Sequence, residues 1–235
     1  ACLNIYTLCR MKEYPYSRAE KRFTFRELLI SPFRERRYLH SVAIAFLWNL
    51  VFNIPGSYYT VYLLRNLGVG YSFIMLVNSL NVPILLLLTP AWERILRRFS
   101  WLKALNAAVA LYVPHFLLLG LITHSSVYYL YPLALIYSFV LTVGINLCLA
   151  NIPYLNIPDK NQTVFVGFQA TAVNLGAFLG AAAGRELVKL LHPVRLHLPG
   201  LDLIDKQLLM LITGCAMALA SLAIFFLRRN IPEST

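Results

Sequence analysis

Six apolar stretches, each about 20 residues or longer, limit what this chain can fold into. They run over roughly 38–64, 71–90, 102–123, 127–151, 163–188 and 206–227. About 20 apolar residues in an α-helix cross a bilayer core about 30 Å thick. Runs such as 84-ILLLLT-89 and 216-AMALASLAIFFL-227 do not alternate apolar and polar residues, as the strands of a membrane barrel would. Charged residues make up only 13% of the 235, against about 25% in a soluble domain. The expected fold is all-α: a polytopic bundle of six transmembrane helices.

A formal net charge of +11 would suit a nucleic-acid binder, but its distribution points to a membrane. Of 21 Lys and Arg, nine lie between Arg10 and Arg37, four between Arg94 and Lys103, one at Lys160 and two at Arg228 and Arg229. These fall in alternate loops, and the intervening loops hold only Arg65, Arg185, Lys189, Arg195 and Lys206. Such a bias marks the cytoplasmic side. It predicts a cell (cytoplasmic) membrane protein with residues 10–37 and the C-terminus inside, and no nucleic-acid partner.

The segments follow from the same reading. Residues 1–9 read as the end of a preceding transmembrane helix, so the natural protein is expected to continue N-terminally. Residues 10–37 form a basic cytoplasmic loop. Within it, 24-TFRELLI-30 carries a capping pattern, Thr24 with Glu27, and reads as a short amphipathic helix at the interface. Ser31 and Pro32 suit the start of the first span. Residues 38–230 are the bundle, and 231–235 a short tail.

Polar residues inside the spans repeat at helical spacing. In the first span Asn49, Asn53, Gly56 and Thr60 share a stripe, with Pro55 at its centre and Tyr58 beyond. Asn78 and Asn81 share a face of the second. Ser138, Thr142 and Asn146 recur every four in the fourth, and the fifth holds Gln169, Thr171 and Asn174. The third and sixth show less, chiefly Asn106, His115, Thr213 and Ser221. A buried Asn in a membrane helix either bonds a neighbouring helix or faces a wet cavity. Four stripes together favour a cavity ringed by the first, second, fourth and fifth spans, with the third and sixth on the lipid side. The predicted lining is Asn49, Asn53, Tyr58, Asn78, Asn81, Asn146, Gln169 and Asn174.

No Asp, Glu, Lys or Arg lies mid-span, and His115 reads as a neutral, hydrogen-bonded side chain. Ala172, Gly176, Gly180 and Gly184 place a small residue every four positions, a stripe for close helix packing. Cys2, Cys9, Cys148 and Cys215 form no metal-spaced cluster. The chain has no HExxH, GxSxG, GxxxxGK[ST] or GxGxxG motif, so neither enzyme activity nor a cofactor or metal is expected.

The order of a basic loop, six helices and the segment 90-PAWERILRRFSW-101 resembles the C-terminal half of a major facilitator superfamily (MFS) transporter. Pro90, Trp92, Arg94, Arg98 and Phe99 fit the family's loop between helices eight and nine. Glu93, Arg97 and Ser100 stand where Gly, Asp and Gly are usual. The segments 55-PGSYYTVYLLRNLGVGY-71 and 158-PDKNQTVFVGFQATAVNLGAFLGAAAG-184 resemble the end of helix seven and the connection into helix eleven. The resemblance implies a secondary-active transporter whose two six-helix halves rock about a central cavity, moving a small solute or drug-like molecule. Its partners are the N-terminal six-helix half of the same polypeptide, the lipid bilayer and the solute. It also implies a cytoplasmic gate loop of Glu93, Arg94, Arg97, Arg98 and Asp159; because Arg97 stands where the family has Asp, Arg97 or Arg98 is expected to pair instead with Asp159 or with helix-end carbonyls. A non-transporting sensor or scaffold is the alternative, and a lipid-acting membrane enzyme a third reading.

Overall fold

The computed structural model describes residues 31–56, 58–151, 157, 162–193, 196–198 and 201–229. Backbone at 31–34 is helical. After a kink at Glu35, helix α1 runs Arg36–Phe52, and a short α2, Tyr58–Val61, continues into a π-helical turn, Tyr62–Asn66. Then come α3 (Tyr71–Ser79), α4 (Asn81–Arg98), α5 (Trp101–Gly120), α6 (Val127–Asn151) and α7 (Gln162–Leu191). A hairpin of β1 (Leu196–Leu198) and β2 (Leu201–Leu203) leads into α8, Asp205–Arg228. This antiparallel hairpin, not anticipated from the sequence, is a small addition to an all-α membrane bundle.

Among the described residues, five helical segments are long and apolar enough to cross a membrane: Tyr71–Arg98, Trp101–Gly120, Val127–Asn151, Gln162–Leu191 and Asp205–Arg228. The first predicted span is present as α1 and α2, divided at Asn53–Gly56. Prolines within the long helices do not end them: Pro90, Pro114 and Pro132 lie inside α4, α5 and α6.

Packing proceeds as a chain of neighbours, α4 on α6, α6 on α5, α5 on α8, and α8 on both α1 and α7, with α1 also along α7. The centre lies among α1, α5 and α8, where Trp48, Leu105, Val109, Met210 and Met217 are buried. Trp48 meets Tyr112 edge-to-face at 5.2 Å between ring centroids. In lipid such packing, not hydrophobic burial, holds helices together. One end of the bundle is tied at a single carbonyl, that of Ile122 just past α5. It accepts from Tyr62 Oη at 2.7 Å and from Gln207 Nε2 at 2.9 Å. The other end is tied by Tyr38, whose hydroxyl donates to the Phe165 carbonyl.

Two helices bury little. Within α7 only Phe165, Gly176, Gly180 and Gly184 are buried, and within α4 only Leu96. Leu86, Leu87 and Phe178 are among the large apolar side chains left exposed.

Candidate functional site: a cavity between two broken helices

The site starts from a missing N–H. Pro55 cannot donate to the Val51 carbonyl, and its ring crowds that turn. The Ile54 N–H turns back to Val51 O at 3.2 Å, and Tyr58 N donates to Pro55 O at 3.0 Å. Both bonds span three residues, so the Leu50 and Ile54 carbonyls lose the backbone donors they would have in a continuous helix. Gly56 takes φ +43°, a left-handed conformation that favours glycine, and lets the chain resume as α2.

The two freed carbonyls sit on the glycine stripe of α7. A Cβ added at Gly180 would overlap Leu50 O, one at Gly184 would overlap Ile54 O, and one at Gly176 would lie 2.7 Å from Phe46 O. Residues 46 and 50 of α1 and Ile54 just past its end form one row, matched carbonyl by carbonyl to a row of bare Cα atoms. Cα–H···O contacts of this kind contribute about 0.5–1 kcal/mol each. Ala172 extends the row toward the Tyr38–Phe165 contact, where it packs half-buried. The stripe is therefore the seat of a broken helix.

A second proline makes a second break. Pro83 has no N–H for the Ser79 carbonyl, and α3 gives way to α4 at Leu80, a one-residue interruption with near-helical φ −63° and ψ −17° whose N–H reaches back to Val77 O at 3.2 Å. Asn78 and Asn81 flank this break as Asn53 flanks the first.

Between the breaks lies a cavity of about 450 Å³. Asn53, Pro55, Gly56, Tyr59 and Thr60 line it from the α1–α2 break, and Asn78 and Asn81 from the α3–α4 break. Tyr112, His115, Phe116 and Leu119 enter from α5, Tyr131, Ser138 and Thr142 from α6, and Met210 from α8. Among the described residues no charged side chain lines it.

Three of the predicted lining residues, Asn53, Asn78 and Asn81, meet in this cavity. Asn49 and Tyr58 are half-buried beside it, and Asn146 and Asn174 are exposed on α6 and α7. Gln169 Nε2 reaches the Leu149 carbonyl at 3.4 Å, joining α7 to α6. Among the described residues, the third and sixth spans contribute to this wall and the fifth does not. The reason is the glycine row. With that face of α7 applied to α1, Thr171 and Asn174 are turned to the outer surface.

The polar stripes are also less outward-looking than their spacing suggests. Asn49, Asn53 and Asn78 each donate to the carbonyl four residues back, at 2.9, 2.7 and 2.8 Å. Thr142 and Thr171 do the same. Asn78 also reaches the Tyr131 hydroxyl at 3.3 Å, which ties α3 to α6 across the cavity.

The gate residues lie in a helix rather than a loop. Helix α4 continues past Pro90 to Arg98, which puts Glu93, Arg94, Arg97 and Arg98, all exposed, on its last turns. Arg97 and Arg98 occupy the final turn, where the helix dipole favours positive charge. Asp159 lies outside the described residues. Trp92 anchors this end: Nε1–H donates to Val140 O at 2.8 Å, and the ring fills the space that a side chain at Gly144 would need.

The sequence pattern of the Major Facilitator Superfamily matches residues 2–181. The chain belongs to this superfamily. No curated protein and no solved structure matches it. Members of the superfamily are transporters, and the apolar helices of this one are those of a multi-pass membrane protein.

Proposed function

We propose that the chain forms the C-terminal six-helix half of a secondary-active MFS transporter. In this reading it moves a small solute or drug-like molecule by rocking against a matching six-helix half of the same polypeptide. One observation carries the proposal: two proline-broken helices bring Asn53, Asn78 and Asn81 to one cavity. Discontinuous helices in transporters place polar groups where a solute can use them, because irregular backbone is tolerated in the membrane only beside protein or a cavity. The thinly buried helices α4 and α7 suit the surface for the second half. The alternate-loop charge supports a cytoplasmic C-terminus in the cell membrane.

Asn49, Tyr58, Asn146, Gln169 and Asn174 belong to the same proposal as residues near the cavity or on the faces toward the other half. Arg97, Arg98, Glu93 and Arg94 would form its cytoplasmic gate with Asp159. The test is solute flux in proteoliposomes. Asn53→Leu and Asn81→Leu are expected to cut flux at least about tenfold while the protein still purifies folded. The sensor or scaffold reading draws on Glu93, Arg97 and Ser100 standing where the family has Gly, Asp and Gly. Absence of flux for every solute in a broad panel would favour it.

A further inference from the structure

We propose that the cavity between the two breaks binds an uncharged ring compound carrying hydrogen-bonding groups on one edge, with His115 as the acceptor that selects it. The inference deepens the transport reading and rests on it for its physiological meaning.

The protonation of His115 follows from its partner. Nδ1 lies 2.9 Å from the Ala134 carbonyl, and a carbonyl only accepts, so Nδ1 carries the proton. In a neutral imidazole Nε2 is then an acceptor. His115 is 5% exposed and lines the cavity. Its Nε2 has no partner among the described residues and is not among the side-chain atoms sealed from solvent, so it opens onto the cavity. A fixed acceptor at the end of an apolar wall selects a ligand N–H or O–H.

Tyr59 also lines the cavity and is 8% exposed, but its hydroxyl is sealed, so its ring and not its hydroxyl meets a ligand. Phe52, Tyr59, Tyr112, Phe116, Tyr131 and Phe139 contribute aromatic rings to the wall, which suits the face of a ring. The volume falls in the range of small-molecule sites, about 300–1,000 Å³.

Charge is what the cavity excludes. With no Asp, Glu, Lys or Arg in the lining among the described residues, an ionic ligand would lose its hydration without a counter-charge. A neutral ligand loses far less.

The experiment is isothermal titration calorimetry on the full chain in nanodiscs with three near-isosteric probes that carry their polar group on one edge: benzamide, benzoate and benzylamine. The amide is expected to bind, and both ions at least about tenfold more weakly, about 1.4 kcal/mol or more. His115→Phe should weaken amide binding about tenfold. His115→Gln, which keeps a donor and an acceptor, should recover most of it. Each variant must melt as the parent does, and His115→Leu takes the place of His115→Phe if the latter does not fold. The proposal is overturned if either ion binds as tightly as the amide, if the apolar His115 variant leaves affinity unchanged, or if none of the probes binds. Solute flux measured alongside separates the two readings. Flux with no His115-dependent binding sinks this pocket alone. Charge-selective binding without flux of any solute sinks the transport reading and leaves the pocket.

Discussion

At Gly180 and Gly184 a single methyl group is enough to separate helices. The glycine Cα atoms meet the Leu50 and Ile54 carbonyls with no room for a Cβ, and the obstruction is backbone, which cannot rotate away. Gly180→Ala should therefore destabilise the protein by about 1–3 kcal/mol, the usual cost of overpacking, read as a lower thermal midpoint in detergent. Gly167→Ala, where nothing lies within 4 Å of the added carbon, is the control and should melt unchanged. Equal melting of Gly180→Ala and the parent would refute the close seat. Trp92 and Gly144 offer a second residue-level test. Gly144→Ala would bring a Cβ within 2.5 Å of the Trp92 ring and should cost a similar ~1–3 kcal/mol. Added to Trp92→Ala it should cost much less, because the obstructing ring is gone. Fully additive melting shifts would mean the two residues do not touch. The residue scale also shows what periodicity hides. The stripe of Asn49 and Asn53 was legible from spacing, but spacing does not reveal that each amide would satisfy itself on the carbonyl one turn back. His115 and Tyr112 were hidden for the opposite reason: they stand in a span whose surroundings look apolar, and only the fold turns them to the cavity.

The two breaks make the element-level argument. Pro55 announces the first, since proline beside Asn53 and Gly56 in an apolar run has few other uses. The second was not read, because Pro83 falls in an unbroken run of Val, Ile and Leu and three residues past the point where the helix yields. The six stretches themselves were legible from length and apolarity alone, as bilayer thickness dictates. The end of α4 was not: a proline followed by charges looks like a loop, yet the Trp92 anchor and two terminal arginines on the helix dipole carry the helix on to Arg98. If the breaks shape the cavity, repairing them should abolish function without loss of fold. Pro55→Ala restores an N–H for Val51 and lets α1 run on, which would rotate Asn53 and Thr60 away from Asn78 and Asn81. Flux is expected to fall at least about tenfold while the thermal midpoint holds or rises, since replacing an interior proline favours the helix by about 3 kcal/mol. Pro83→Ala should behave alike. Parent-level flux in both variants would make the breaks incidental to transport.

At the scale of the molecule, the helices cross in alternation, and this fixes which short connections share a side. The turn at Phe99–Ser100 follows α4, and that at Thr123–Ser126 follows α5, a helix of 20 residues that separates them by a full crossing. Arg94, Arg97, Arg98 and Lys103 cluster at the first turn, whereas the second carries no Lys or Arg. The positive-inside bias predicts the first turn in the cytoplasm and the second outside. The chain's cysteines allow a direct measurement once all four are replaced by Ser or Ala. Ser100→Cys in that background should react with a membrane-impermeant maleimide only in inside-out vesicles, and Ser125→Cys only in right-side-out cells. Arg228 and Arg229 lie at the end of α8, three crossings beyond Ser125, so Arg229→Cys should label from the same side as Ser100→Cys. Labelling of Ser100→Cys and Ser125→Cys from one side would mean that α5 does not cross. Labelling of both on the sides opposite to those stated would keep the bundle and invert it, and the gate proposed for Arg97 and Arg98 would then face outward.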